Sequence, residues 1–156
     1  MSRAPIQSDV AVIGLGVMGR NLALNFIDKG LNVAGWDADA AWVERNDGLS
    51  ATPGFRYAKH IEALVEGLKT PRKVLLLVPA GDSVEKALAA LASKLQPGDI
   101  VIDCGNSHYQ DSISRGSRES LQGMHFVGLG VSGGSVGAQH GPSMICLLYT
   151  SPSPRD

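Results

Sequence analysis

With 156 residues, 44% of them apolar and 19% charged, the chain has the size and composition of one compact domain able to bury a core. A net charge of −1 with scattered Lys and Arg leaves no basic face for nucleic acid or an anionic membrane, and no apolar run is long enough to span a bilayer. The start, MSRAPIQSDV, lacks the apolar core of a secretion signal, so a cytoplasmic location is expected, and the two cysteines, Cys104 and Cys146, supply neither a disulfide framework nor metal-ligand spacing.

In chain order, the β-branched run 10–13 (VAVI) leads into Gly14-Leu15-Gly16-Val17-Met18-Gly19, after which RNLALNFIDKG reads as a helix closed by Gly30. A second strand is predicted over 32–36, ending beside Asp37-Ala38-Asp39. Ile61, Leu64, Val65 and Leu68 then share one helical stripe. The run 73–78 (KVLLLV) is apolar without alternation, as a strand covered on both faces is, and is predicted to be central. Val84, Ala87, Leu88, Leu91, Ala92 and Leu95 repeat the helical stripe, with Ser83 placed to cap that helix and Pro97-Gly98 to stop it. Strands over 100–103 and 125–129 follow. This βαβ rhythm predicts an α/β fold with a doubly wound parallel sheet, without an internal repeat or interdomain linker before Ile145.

Nineteen glycines cluster at predicted strand ends, where a backbone has to approach a ligand closely. A Gly-x-Gly-x-x-Gly segment alone is weak evidence. Here it lies between a strand and a helix, and Asp37 ends the second strand about 20 residues on, which completes the fingerprint of a Rossmann-type NAD(P)-binding domain. Gly14 permits the turn, Gly16 removes the Cβ that would block a pyrophosphate, Gly19 lets the helix pack closely, and helix N-terminal amides hold the phosphates. The competing reading is glycines that merely turn a strand into a helix. Asp37 accepts hydrogen bonds from the adenosine ribose, which favours NAD over NADP: a 2′-phosphate at ~4 Å meets a repulsion of roughly 4 kcal/mol at an effective dielectric near 20. Asp39 adds to that repulsion or is a helix cap, Ala38 supplies no cation, and Arg45 is near enough in sequence to swing back toward a phosphate.

Two further loops follow strands at the same sheet edge, one holding Asp103-Cys104-Gly105-Asn106-Ser107 and the other Gly130-Val131-Ser132-Gly133-Gly134. The Asn106 amide, the Ser132 hydroxyl and the unobstructed amides of Gly133 and Gly134 suit a polyhydroxy acid; each loop alone is also ordinary turn chemistry.

GLGVMGRNLALN, PRKVLLLVPAG, IDCGNSHYQDS and GVSGGSVGAQHGPS occur in this order and spacing, and through them the chain resembles the 6-phosphogluconate dehydrogenases over about 10–145. The resemblance implies cofactor contacts from Gly14 to Gly19, from Asp37, Ala38 and Asp39, and from Val78, Pro79 and Ala80. It implies that Asn106 touches both cofactor and substrate, and that Ser132, Gly133 and Gly134 bind 6-phosphogluconate. It also implies a pentose phosphate pathway enzyme that forms ribulose 5-phosphate and carbon dioxide as a homo-oligomer. The family's lysine base, in a Lys-x-x-His-Asn segment, and its glutamate acid belong to a downstream helical domain. None of Lys29, Lys59, Lys69, Lys73, Lys86 or Lys94 has that context, so no catalytic residue is expected here.

The chain departs from the family at Asp37-Ala38-Asp39, where NADP-using members commonly have Asn-Arg-Ser or Asn-Arg-Thr, again favouring NAD over NADP. Pro79 replaces a common lysine, Ser135-Val136 an acidic pair, and Cys104 a glycine; Cys104, His108 and His140 are expected to pack or face solvent. The final string 146–156, CLLYTSPSPRD, resembles sequencing-adapter DNA translated in one frame, so residues 1–145 are expected to be the front of a longer enzyme, cut in a loop before a further strand; a genuine Pro/Ser-rich terminus is the alternative. The competing functions are a non-catalytic dinucleotide-binding module and a related β-hydroxyacid dehydrogenase, for which an Asp-x-Ser-Thr segment is expected at 103–107.

Overall fold

The computed structural model of the chain describes residues 7–39, 41–42, 47–118, 121 and 123–149. Arg45 and residues 150–156 of the terminal string lie outside them. Among the described residues seven strands, β1 (Val10–Ile13), β2 (Val33–Trp36), β3 (Phe55–Tyr57), β4 (Lys73–Leu76), β5 (Ile100–Asp103), β6 (His125–Ser132) and β7 (Ser143–Tyr149), form one sheet in the order β3-β2-β1-β4-β5-β6-β7. The first six are parallel. The helices are α1 (Val17–Asp28), α2 (Asp47–Ser50), α3 (Ile61–Glu66), α4 (Asp82–Ala92), α5 (Tyr109–Gly116) and α6 (Gly134–His140).

Strand alternation sorts the core onto two faces. Val10 and Val12 point toward α1 with Leu22 and Ala23, whereas Ala11 and Ile13 point toward α3 and α4 with Leu64, Val84, Leu88 and Leu91. β4 is central, with Val74, Leu75 and Leu76 all buried, as its unbroken apolar run requires.

Three features differ from expectation. Ser83 does not cap α4; the cap lies two residues earlier, at Gly81, whose φ of 90° admits only a residue without a Cβ at low cost. Strand β3 is an addition, too short to carry a periodic signal. Ile145 lies inside β7 rather than in a loop, and β7 is antiparallel to β6. The connection 133–142 is shorter than the dozen or more residues that a parallel crossover takes, so the chain turns back beside Ser132. Ser143 to Cys146 hold one register against β6, which then shifts between Leu129, paired with Cys146, and Gly128, paired with Leu148.

Candidate functional site

β1 is flanked by β2 on one side and β4 on the other, so its carboxyl end lies where the strand order reverses, the position at which open α/β sheets take ligands. The three loop glycines serve different ends there. Gly14 has φ +92°, and a Cβ on it would sit 2.4 Å from the Leu77 carbonyl oxygen of the neighbouring loop. A Cβ on Gly19 would sit 1.9 Å from the Gly14 carbonyl oxygen, so α1 leaves the loop in contact with the loop's own start. Gly16 is exposed and a Cβ there would meet nothing within 4 Å. Internal packing therefore demands the first and third glycines, while the middle one borders open space. Gly16 is also the N-cap of α1, whose first turn holds no acidic side chain, so its amides and positive dipole end remain available to an anion.

Asp37 fastens this loop to the end of β2. Its Oδ2 accepts the Leu15 amide at 2.6 Å and its Oδ1 the Asp39 amide at 2.9 Å, which leaves each oxygen one lone pair for a further donor. The Leu15 side chain is buried, and its carbonyl accepts the Trp42 indole N–H at 2.6 Å, so Leu15 braces the loop from behind instead of facing the cleft. Asp39 turns back onto the chain: its Oδ1 accepts the Ala41 amide at 3.0 Å. Tyr57 stacks on Trp42 with ring centroids 5.5 Å apart; burial, reinforced by the charge of Asp37, pushes its phenol above the ordinary range and keeps it protonated.

A cleft of about 520 Å³ opens above these strand ends, a volume suited to a small-molecule ligand. Gly14, Gly16, Asp37, Ala38, Val78 and Pro79 line it, six of the positions singled out in the sequence. Val17 is exposed and Met18 half-buried on the first turn of α1, and Ala80 is exposed on the loop after β4. The wall that sequence reasoning missed is α4, which contributes Ser83, Lys86, Ala87 and Ala90. Their i, i+3, i+4, i+7 spacing was a legible signal, hidden beside the apolar stripe of the same helix.

The β5 loop is held by a buried ionic cluster. Asp103, whose side chain is fully buried, accepts Ser107 Oγ at 2.6 Å and Arg115 Nη1 at 3.2 Å, and Arg115 Nε reaches Glu85 on α4 at 2.9 Å. Arg118 also pairs with Glu85, and this pairing, with Arg115 adding to it, holds the Glu85 carboxyl below its ordinary range despite partial burial. Gly105 presses on the loop after β4, its Cβ position only 2.6 Å from the Val78 carbonyl oxygen. Between these anchors Asn106 is exposed with φ +55°, a left-handed conformation that Asn tolerates better than most residues. Cys104 is buried; desolvation, then the charge of Asp103, pushes its thiol up to about 12, so it packs rather than attacks. His108 caps α5, its Nδ1 accepting the Gln110 amide at 3.3 Å, and His140 is exposed.

β6 runs four residues past the pairing of Asp103 with Gly128, which brings Ser132, Gly133 and Gly134 beyond the same sheet edge, all exposed. Gly133 (φ 127°) and Gly134 (φ 60°) start α6, and Asn25 of α1 donates to the Gln139 carbonyl of α6 at 2.6 Å. Among the lysines, Lys69 pairs with Asp9 and Lys94 with Glu62, both at the surface.

Residues 9–147 match the family model described as the NAD binding domain of 6-phosphogluconate dehydrogenase. The chain belongs to the 6-phosphogluconate dehydrogenase family. It is 44% identical over 140 residues to the decarboxylating 6-phosphogluconate dehydrogenase of Drosophila melanogaster, covering 89% of this chain and 29% of that protein. It is 40% identical over 142 residues to the NAD(+)-dependent decarboxylating enzyme of Bacillus subtilis (strain 168), covering 88% of this chain and 30% of that one. The solved 6-phosphogluconate dehydrogenase of Plasmodium falciparum, described in complex with its cofactor NADP+ and with its substrate 6-phosphogluconate, superposes with a TM-score of 0.79 at 34% identity, over 88% of this chain and 30% of that one. The chain thus spans about 30% of the length of these relatives. As a 6-phosphogluconate dehydrogenase domain it has a cleft that fits a dinucleotide by its own geometry: open space at Gly16, an uncompensated helix N-terminus and a carboxylate at the end of β2. Among the described residues, no helix is long and apolar enough to cross a membrane.

Proposed function

We propose that this chain is the cofactor domain of an enzyme that oxidatively decarboxylates 6-phosphogluconate to ribulose 5-phosphate, using NAD in preference to NADP. The observation that carries the cofactor preference is Asp37, a carboxylate fixed by two backbone amides at the rim of the cleft, with Ala38 beside it exposed and uncharged. That arrangement accepts hydrogen bonds from ribose hydroxyls and opposes a phosphate in their place. The names of the relatives include both cofactors, NAD(+) in Bacillus and NADP+ in Plasmodium, and the preference proposed here rests on the residues at this rim.

When bound, the nicotinamide supplies the hydride acceptor for the substrate C3 carbon. The chain's part is placement. The first amides of α1 hold the pyrophosphate, Asp37 the adenosine ribose, and Val78 and Pro79 line the path toward the β5 loop. Asn106 offers a donor and an acceptor between the cofactor and the sugar acid, and Ser132 with the Gly133 and Gly134 amides receives the substrate's hydroxyls. Removal of the C3 hydroxyl proton and protonation of the enediol belong to the family's lysine and glutamate, in the part of the enzyme that this chain does not cover.

Isothermal titration of the 156-residue chain with NADH and NADPH tests the binding step, and NADH is expected to bind more tightly. Equal affinity or an NADPH preference overturns the cofactor assignment. Turnover of 6-phosphogluconate by this chain alone contradicts the division of labour, because the chain then holds a base that its structure does not show.

A further inference from the structure

We propose that Lys86 is a specificity-determining residue of the adenosine end of the cleft, a counter-charge to Asp37 that lets the site admit a 2′-phosphorylated nucleotide as its second choice. The proposal rests on the reading of the cleft as the dinucleotide site. Helix α4 presents two stripes: Val84, Leu88 and Leu91 enter the core, while Ser83, Lys86, Ala87 and Ala90 face the cleft. Ser83, Ala87 and Ala90 are small, so Lys86 is the long side chain on that wall, and its flexible stem can follow a ligand across the opening.

Among the described residues that line the cleft, Asp37 and Lys86 carry the charges, and the charges are opposite. The Asp37 carboxylate is already engaged by the Leu15 and Asp39 amides, which lowers the field it projects, and Asp39 is turned onto the Ala41 amide. A site with Asp37 alone rejects a 2′-phosphate. A site with Asp37 on one wall and an ammonium on the other rejects it only in part, because the repulsion and the attraction act on the same added group. Lys86 thereby performs from α4 the task for which Ala38 and Pro79 offer no cation. An ammonium gives three donors and no fixed fork, which suits a phosphate approached from one side.

The test compares NADH with NADPH, which differ only in the 2′-phosphate, on the full 156-residue chain and its Lys86→Gln and Lys86→Arg variants, at low and high salt. Lys86→Gln is expected to shift the ratio of the two dissociation constants about 10-fold toward NADH, Lys86→Arg to restore most of it, and the NADPH arm of Lys86→Gln to lose part of its salt dependence. A ratio unchanged in Lys86→Gln overturns the proposal and leaves the dinucleotide reading intact. Parallel weakening of both nucleotides also overturns it, since Lys86 then reads the shared adenine or pyrophosphate. Failure of the unaltered chain to bind either nucleotide removes the dinucleotide reading and this proposal together.

Discussion

Gly16→Ala separates what the glycine loop needs for folding from what it needs for a ligand. In the free chain the added methyl meets nothing within 4 Å, and the native φ of −63° is one that alanine adopts freely. The substitution therefore removes freedom from the unfolded chain without cost to the folded one, a gain of about 0.4–1 kcal/mol, or about 1–4 °C in Tm for a domain of this size. Bound pyrophosphate changes the sign. The methyl stands where a phosphate oxygen has to approach the α1 amides, and loss of one charged hydrogen bond of about 1.5–3 kcal/mol weakens binding about 10- to 150-fold. Gly19→Ala serves as the opposite control: its Cβ would sit 1.9 Å from the Gly14 carbonyl oxygen, so the loop or α1 has to move, at a cost of about 1–3 kcal/mol or more. Thermal melts and NADH fluorescence titrations on the same preparations measure both quantities. A Gly16→Ala chain that binds NADH as tightly as the parent refutes the pyrophosphate cradle, and one destabilised like Gly19→Ala refutes the claim that the space is empty.

Three further outcomes are expected. Asp37→Ala combined with Ala38→Arg moves the preference from NADH toward NADPH by titration; unchanged discrimination shows that Asp37 is not the selecting charge. Arg115→Met strands the fully buried Asp103 and costs about 3–5 kcal/mol in urea unfolding, and Asp103→Asn in the same background recovers part of the loss; a cost below about 1 kcal/mol removes the buried cluster as the anchor of the Asn106 loop. The Cys104 thiol, raised by burial from 9.0 to about 12, keeps its proton in the folded chain while the unfolded chain loses it, so its contribution is complete below pH 9 and is lost as pH rises toward 12, about 4 kcal/mol in all. Stability measured from pH 8 to 11 is expected to fall more steeply for the parent than for Cys104→Ala, and identical slopes contradict the burial argument.

Short-range patterns carried most of the architecture into view. The apolar runs at β1, β2, β4, β5 and β6, the unbroken apolarity of β4 and the spacing from Gly14 to Asp37 are all local, and each appears where periodicity places it. What stayed hidden depends on partners distant in sequence. Arg115 looks like an ordinary polar helix residue until Asp103, Ser107 and Glu85 converge on it. β3 consists of three half-buried residues that acquire strand geometry by pairing with β2. The α4 wall of the cleft was masked because one helix carries two stripes sharing Ala87. His60 and His108, poor capping residues by type, cap α3 and α5 through Nδ1 because the chain enters each helix in an extended conformation.

The hydrogen bond from Asn25 to the Gln139 carbonyl ties together two packed helices whose other ends carry the glycine loop and the Gly133–Gly134 turn. Because the two helices also pack side by side, the spacing between the glycine loop and that turn is a property of the helix pair as a unit. For an engineer who wishes to re-aim the domain at a different acid, Ser132 is exposed and open to rewriting, whereas Gly133 and Gly134, with positive φ, and Asn25, which ties the helix pair, are the residues to leave alone.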